Sequence, residues 1–179
     1  MQVTFHGQPM RLIGLPMKVG TRARDVRVIG NDLLPVLPLA RSRGKVRLFV
    51  TVPSLDMPVC SAAIHKFSQF LNSMNQDLTE FVEVFLISAD LPFAQSRWQA
   101  IEKVTNITML SDHRDLDFAR SWGLLIQDLG LLASAVYVVD STGIVTYQEI
   151  VAELMAEPDY DVAFAVLSAE IATLKGIHE

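Results

Sequence analysis

The chain changes from an apolar strand to a helix within the stretch Val52-Pro53-Ser54-Leu55-Asp56-Met57-Pro58-Val59-Cys60-Ser61. Residues 46–52 are mostly β-branched or apolar, which is typical of a buried strand, and Pro53 ends that pattern. Beyond Cys60 the apolar residues recur at helical spacing, at Ala63, Ile64, Phe67, Phe70 and Leu71. Cys60, the only cysteine of the 179 residues, is therefore predicted to lie in the first turn of a helix.

A cysteine in the first turn of a helix is a candidate nucleophile. The backbone N–H groups of that turn have no partner within the helix, and the positive end of the helix dipole lies there. Both features favour a thiolate over a thiol. Free cysteine is also among the most buried residue types and often serves packing alone. The position of Cys60 leaves both interpretations open, a reactive thiol and a buried structural one.

The rest of the chain alternates between strand and helix patterns. Strands are predicted over residues 46–52, 82–88, 107–110, 135–140 and 144–150, and helices over 60–75, 93–103, 115–122 and 159–174. A hairpin is predicted near residues 3–10, and short strands between 25 and 39. This alternation predicts an α/β fold with a mixed central sheet flanked by helices. We expect one domain over residues 1–179.

The composition disfavours several classes of function. A formal net charge of −5 argues against nucleic acid as a partner. No terminal stretch resembles a signal peptide, and the longest apolar run, residues 129–139, is too short to span a bilayer. The histidines lack ligand spacing and the lone cysteine has no CxxC partner, so no metal or cofactor is predicted. The protein is expected to be cytoplasmic, with no membrane partner.

Four segments carry a specific pattern. They are Val3-Thr4-Phe5-His6-Gly7-Gln8-Pro9-Met10, then Pro53-Ser54-Leu55-Asp56 with Val59-Cys60, then Ile87-Ser88-Ala89-Asp90-Leu91-Pro92-Phe93-Ala94-Gln95-Ser96-Arg97, and finally Glu157-Pro158-Asp159-Tyr160. In this order they resemble the thiol peroxidase class of peroxiredoxins, the atypical two-cysteine type, over nearly the whole chain. The resemblance implies a thioredoxin-like fold with an N-terminal β-hairpin. It also implies Cys60 as the peroxidatic cysteine and Pro53 as a catalytic-loop residue.

Three positions depart from the family pattern that the resemblance implies. Met57 stands where the family has a threonine that bonds the thiolate, and a thioether cannot donate a hydrogen bond. Ser134 stands in place of the active-site arginine, and Gln99 in place of the resolving cysteine. A hydrogen bond to a charged group contributes roughly 1.5–3 kcal/mol, so two lost partners are expected to slow the reaction on the order of a hundredfold to ten-thousandfold.

Other polar side chains could replace these partners, but each has a simpler interpretation. Thr51 and Ser54 carry hydroxyls near the loop, where such side chains usually pack. The arginines considered are predicted to be surface residues: Arg97, Arg114 and Arg120. His65 follows Cys60 by five positions, roughly 140° around the helix, so a Cys–His pair is geometrically poor and His65 is predicted to be solvated.

Two functions follow as alternatives. In the first, Cys60 reduces a hydroperoxide in a one-cysteine cycle and is restored by an external reductant, thioredoxin or a small thiol. In the second, the chain is a catalytically impaired peroxiredoxin that serves binding, assembly or redox sensing. The resemblance also implies a homodimer. Candidate residues for its surface are Trp98, Trp122, Leu124, Leu125 and Ile126. Core packing is the preferred interpretation for Trp122.

Overall fold

The computed structural model describes residues 1–178, so Glu179, the last residue of the predicted domain, lies outside the described residues. The strands are β1 (Gln2–Phe5), β2 (Gln8–Ile13), β3 (Val28–Gly30), β4 (Pro35–Val36), β5 (Val46–Thr51), β6 (Val82–Ser88), β7 (Thr108–Ser111), β8 (Leu125–Ile126), β9 (Leu131–Leu132), β10 (Ala135–Val139) and β11 (Val145–Ile150). The helices are α1 (Pro38–Arg41), α2 (Pro58–Ser73), α3 (Gln76–Thr79), α4 (Pro92–Glu102), α5 (Asp117–Ser121) and α6 (Tyr160–His178).

The central sheet has seven strands in the order β11-β10-β5-β6-β7-β3-β4. β5 pairs in parallel with β6, and β6 with β7, whereas the outer strands pair antiparallel. The predicted α/β fold with a mixed sheet is thereby confirmed. Parallel strands end at the same edge of a sheet, and Thr51 of β5 is in register with Ile87 of β6. The residues that follow these two strands consequently meet at that edge.

β5 separates two apolar layers because successive side chains of a strand point to opposite faces. Leu48 and Val50 belong to the layer that contains residues of α2 and α6. Phe49 belongs to the opposite layer, where its ring centroid lies 5.0 Å from that of Trp122. Trp122 is fully buried, which confirms its interpretation as a core residue.

A second sheet, in the order β1-β2-β8-β9, contains the predicted N-terminal hairpin. His6 and Gly7 form the turn with φ angles of 50° and 75°, the positive φ that tight hairpin turns require. Glu153, between β11 and α6, binds this hairpin through hydrogen bonds. Its carboxylate accepts hydrogen bonds from Thr4 Oγ1 (2.7 Å) and from the N–H groups of His6 (3.1 Å) and Gly7 (3.2 Å).

Several element boundaries differ from the predicted ones. α2 begins at Pro58 rather than at residue 60, because proline suits the first helical position, where no N–H is needed. α5 begins at Asp117, since the Asp112 carboxylate caps its first turn through the N–H of Phe118 (3.1 Å). α6 continues past the predicted end at residue 174. The four-residue helices α1 and α3 were not predicted, because they are too short to show helical periodicity.

The predicted dimer surface is wrong, because every residue assigned to it is buried within the chain. The exposed fraction is 8% for Trp98, and the others are at most 6% exposed: Trp122, Leu124, Leu125 and Ile126. Apolar character alone does not distinguish a core residue from an interface residue. The large apolar side chains that are exposed near α4 are Leu91, Phe93 and Ile101, at 53%, 68% and 67%.

Candidate active site

Cys60 lies just beyond the end of β5, at the carboxyl edge of the parallel strands. Pro53 is buried in the connecting loop. Met57 has an extended backbone (φ −79°, ψ 124°) and immediately precedes α2. Cys60 is the third residue of that helix, so the predicted position in the first helical turn is confirmed. Ligands and catalytic groups of open α/β sheets usually lie at this edge.

Asp90, which follows β6, holds the loop that precedes Cys60. One oxygen of its carboxylate accepts a hydrogen bond from Ser54 Oγ (2.7 Å). The other accepts from the N–H of Leu55 (2.8 Å) and from Ser88 Oγ (2.8 Å). The hydroxyl of Ser111, at the end of β7, donates to the Asp90 carbonyl (2.5 Å). The carboxyl ends of three neighbouring strands are thereby tied to one residue.

Sequence reasoning did not find this role of Asp90. The string Ile87-Ser88-Ala89-Asp90 resembles a family signature, but nothing in it identifies the side chain that Asp90 binds. Ser54 lies 36 positions earlier, and only the parallel pairing of β5 with β6 brings the two side chains together. The available signal was a serine after one predicted strand and a Ser-x-Asp pattern at the end of the next, since parallel strands end at a common edge.

The thiol of Cys60 is buried, and burial dominates its acidity. Cys60 is 2% exposed. Burial raises the pKa of the thiol from 9.0 to about 11, and the negative charge of Asp90 also raises this pKa. Hydrogen bonds from the Ser54 backbone and the Ser134 side chain lower the pKa, but their effect is smaller than that of burial. At neutral pH the thiolate is therefore roughly one part in ten thousand, because the pKa lies about four units above the pH.

A small cavity opens beside Cys60. It offers about 20 Å³ to water-sized molecules, which is room for about one water. Its walls are mostly apolar and include Val52 and Val151. Thr51 also lines the cavity, but its hydroxyl donates to the Ala133 carbonyl (2.7 Å). Of the two hydroxyl groups that line the cavity, only that of Ser134 donates to no carbonyl within residues 1–178, so it is available to the Cys60 thiol.

The three altered positions lie in different surroundings. Ser134 is 8% exposed and lines the cavity together with Cys60. Met57 is half-buried and packs against the same apolar layer as Cys60, but it does not line the cavity. Gln99 lies on α4, where its Nε2 donates to the Ile107 carbonyl (3.0 Å). Of the three side chains, the structure places only that of Ser134 in the cavity with the thiol.

No arginine, lysine or histidine among the described residues lines the cavity beside Cys60. The arginines considered from the sequence are exposed, as predicted: Arg97, Arg114 and Arg120. His65 is not fully solvated, contrary to the prediction, because its side chain is 35% exposed and its Nε2 lies 2.8 Å from Glu102 Oε2. Its ring centroid is 5.7 Å from that of Trp98, so His65 belongs to a surface contact between α2 and α4.

The described part of the chain also shows no arrangement suited to a metal ion. No group of three or more His, Cys, Asp and Glu side chains within residues 1–178 is placed to hold one. Nor is any helix in that range both long enough and apolar enough to cross a membrane.

The chain is similar to known proteins over nearly its whole length. A family model described as Redoxin matches residues 18–164. A thiol peroxidase of Halalkalibacterium halodurans is 44% identical, over 94% of this chain and 98% of the relative. A thiol peroxidase of Bacillus subtilis is 39% identical, over 89% of this chain and 92% of the relative.

Solved structures show the same likeness. A peroxiredoxin-like protein from Aquifex aeolicus superposes with a TM-score of 0.83 and 36% identity, over 94% of this chain and 96% of the other. A thiol peroxidase from Chromobacterium violaceum has a TM-score of 0.85 over 97% and 98% of the two chains, and its 21% identity supports the fold alone. The predicted thioredoxin-like peroxiredoxin fold is confirmed. The chain belongs to the redoxin family and, within it, to the thiol peroxidases among the peroxiredoxins.

Proposed function

We propose that this protein reduces hydroperoxides at Cys60 in a one-cysteine cycle. The observation that carries the proposal is that the sole cysteine lines a cavity at the carboxyl edge of the sheet, after a loop held by Asp90. Sequence identities of 44% and 39% with two proteins named thiol peroxidase, over nearly their whole length, support the proposal. In this proposal Cys60 is the peroxidatic thiol, and buried Pro53 shapes the loop that presents it.

The first half of the proposed cycle oxidises Cys60. The thiolate sulfur attacks one peroxide oxygen, so that an S–O bond forms while the O–O bond breaks. The leaving oxygen takes up a proton and departs as water or an alcohol. Cys60 becomes a sulfenic acid, and the peroxide has gained the two electrons that the sulfur lost.

The second half restores the thiol with an external reductant. A reductant thiol attacks the sulfenic sulfur, water leaves, and a mixed disulfide with Cys60 forms. A second thiol attacks this disulfide, which releases Cys60 and leaves the reductant as its own disulfide. We propose thioredoxin or a small thiol for this role, because Cys60 is the only cysteine in the sequence and Gln99 supplies no second thiol.

In this proposal Met57, Ser134 and Gln99 are altered active-site positions. Met57 cannot donate a hydrogen bond to the thiolate, and Ser134 supplies a neutral hydroxyl where the resemblance implies a guanidinium. Hydrogen bonding from the Ser134 side chain lowers the Cys60 pKa, but burial keeps that pKa near 11. A hydrogen bond from this hydroxyl to the thiolate contributes roughly 1.5–3 kcal/mol, but the hydroxyl lacks the positive charge with which a guanidinium would also attract the thiolate. We therefore expect Cys60 to react more slowly than a complete site would.

The size of the cavity favours hydrogen peroxide as the substrate. Its room of about 20 Å³ matches a molecule of one or two heavy atoms. A bulky organic hydroperoxide does not fit this volume and reaches the sulfur only if the lining residues move. We expect hydrogen peroxide to oxidise Cys60 faster than cumene hydroperoxide does.

A second function is favoured by the acidity and burial of the thiol. A pKa of about 11 and an exposed fraction of 2% resemble a buried structural cysteine more than an activated one. In this alternative the chain is a catalytically impaired peroxiredoxin that serves binding, assembly or redox sensing.

Steady-state turnover separates the two functions. Hydrogen peroxide is supplied with thioredoxin, thioredoxin reductase and NADPH, or with dithiothreitol as the small thiol. The proposed cycle predicts peroxide consumption that saturates with peroxide and is lost in Cys60→Ser. No turnover with either reductant, or turnover that Cys60→Ser retains, would support the second function.

We also propose that the protein forms a homodimer in a reducing compartment such as the cytoplasm. A reducing compartment keeps a lone thiol from being oxidised. The exposed apolar side chains of Leu91, Phe93 and Ile101 supply surface for association next to α4. Sedimentation velocity is expected to show a dimer for the natural chain and a monomer for Phe93→Glu. A monomeric natural chain at micromolar concentration would contradict the dimer.

A further inference from the structure

A second pocket lies at the end of β5 that is opposite to Cys60. It has a volume of about 280 Å³ and is lined by residues near α1 and by the turn between β10 and β11. Its charged lining residues are Arg22, Arg43, Arg47 and Asp25. Arg47 is four residues from Thr51 along β5, or roughly 13 Å, so this pocket is separate from the cavity beside Cys60.

Arg47 is a buried cation that has no ion-pair partner among residues 1–178. It is 3% exposed. Its Nε donates to Ser42 Oγ (2.9 Å), its Nη1 to the Asp140 carbonyl (2.7 Å) and its Nη2 to the Leu39 carbonyl (3.2 Å). A guanidinium has five N–H donors, so two of them have no acceptor within the described residues. All three acceptors are neutral, although a buried cation is normally paired with an anion.

The acidic residues that act on Arg47 from a distance are bonded elsewhere: Asp140, Asp25 and Glu83. The Asp25 carboxylate accepts a hydrogen bond from the N–H of Ala40 (2.8 Å). Glu83 pairs with Arg41 (2.8 Å). The Asp140 carboxylate accepts the N–H of Thr142 (2.9 Å). Each carboxylate therefore has a local partner, and the guanidinium of Arg47 faces the pocket region without one.

Arg22 and Arg43 add two cations to the same pocket. Arg22 Nη1 donates to the Thr142 carbonyl (3.0 Å), which leaves its other N–H groups available. Arg43 is exposed and makes no hydrogen bond or ion pair within residues 1–178. Three guanidinium groups thus line a pocket in which Asp25 is the one acidic lining residue, so the lining carries a net positive charge.

We propose that this pocket binds a small tetrahedral oxyanion of the phosphate class between Arg22, Arg43 and Arg47. Guanidinium groups present paired N–H donors whose geometry matches phosphate oxygens. A bound anion would accept hydrogen bonds from the two unused N–H groups of Arg47 and neutralise part of the positive charge of the pocket lining. Drug-sized ligands occupy roughly 300–1,000 Å³, so a pocket of about 280 Å³ suits free phosphate or the end of a phosphate monoester.

Isothermal titration calorimetry with inorganic phosphate, at constant ionic strength in a non-phosphate buffer, tests the proposal. Saturable binding is expected for the natural chain. Arg43→Gln should weaken phosphate binding about tenfold or more, because it removes a charge-assisted hydrogen bond. Arg11→Gln removes an exposed arginine outside the pocket and should leave the affinity unchanged. Because Arg43 is exposed, its replacement is not expected to disturb folding, which circular dichroism checks.

A second titration with glycerol 3-phosphate distinguishes the two sources of the anion. Tighter binding of the monoester would assign the pocket to a phosphorylated metabolite, and tighter binding of phosphate would assign it to the free ion. Absence of saturable binding by both anions would overturn the proposal. Equal affinity of the natural chain, Arg43→Gln and Arg22→Gln would overturn it as well. Neither result depends on peroxidase activity. Failure of the phosphate proposal can therefore be distinguished from failure of the function proposed for Cys60.

Discussion

Ser134 and Cys60 line the same cavity, and hydrogen bonding from the Ser134 side chain lowers the pKa of the Cys60 thiol. The two residues are 74 positions apart in sequence, and the antiparallel pairing of β10 with β5 brings them together. Burial outweighs this interaction and keeps the pKa near 11. Ser134 is therefore the side chain through which the acidity of the thiol can be tested with least disturbance.

Replacement of Ser134 by alanine is expected to slow the reaction of Cys60. The change removes a hydrogen bond to the charged thiolate, a contribution of roughly 1.5–3 kcal/mol, so the rate should fall about tenfold to a hundredfold. The measurement is the rate of Cys60 alkylation by iodoacetamide at pH 8, followed by intact mass. Ser73→Ala, an exposed position at the end of α2, is the matched control. Equal rates in the two variants would show that Ser134 does not stabilise the thiolate.

The alkylation rate of Cys60 should depend steeply on pH. Since the thiolate is the reactive form and the pKa is about 11, its fraction increases about tenfold for each pH unit between 7 and 10. The rate should rise accordingly and level off only near pH 11. Circular dichroism at each pH shows whether the fold persists. A plateau below pH 9 would mean that the thiol is far more acidic than its burial implies.

Loss of the Asp90 carboxylate is expected to destabilise the fold. Asp90→Asn removes a charged acceptor for Ser54 Oγ, the Leu55 N–H and Ser88 Oγ. The free energy of unfolding in urea should decrease by about 1–3 kcal/mol. Asp56→Asn is the control, because Asp56 is exposed in the same loop and its carboxylate makes no hydrogen bond or ion pair within residues 1–178. If both variants unfold at the same urea concentration, Asp90 does not hold the loop.

The turn of the N-terminal hairpin should become less stable in strong acid. Hydrogen bonds from Thr4 and the backbone lower the pKa of Glu153 from 4.5 to about 2. A carboxyl group with a lowered pKa stabilises the fold above its ordinary pKa, and this contribution is lost as the pH falls from about 4.5 through about 2. The protection of the His6 and Gly7 amides against hydrogen exchange, corrected for the intrinsic pH dependence of exchange, should decrease over that range. Glu153→Gln should show fast exchange already at pH 6, whereas Glu80→Gln, at an exposed position, should not.

The unit of β5, loop and α2 could be predicted because its signals are local. Continuous apolar residues mark β5, and the helical spacing of Ala63, Ile64 and Phe67 marks α2. The start of α2 was misplaced only because Pro58 occupies its first position. The alternation of strands and helices likewise sufficed for the mixed sheet.

The surroundings of Cys60 could not be predicted in the same way, because they depend on strand pairing. The bond between Ser54 and Asp90 requires the parallel register of β5 and β6. The cavity combines β5 and β10 with the segment that leads to α6. The burial of Trp98 was also missed, since apolar residues that face a core and those that face a partner look alike in sequence.

The second-order rate of Cys60 oxidation by hydrogen peroxide tests the proposed function most directly. It is read at pH 7.4 by intact mass, as the gain of one oxygen atom, with Cys60→Ser as the control and N-acetylcysteine as the reference thiol. A pKa of about 11 instead of 9.0 leaves roughly a hundredfold less thiolate than an ordinary cysteine has. The proposed peroxidase predicts a rate well above the reference despite this deficit, because the site would then stabilise the transition state. A rate no faster than that of the reference thiol would contradict it.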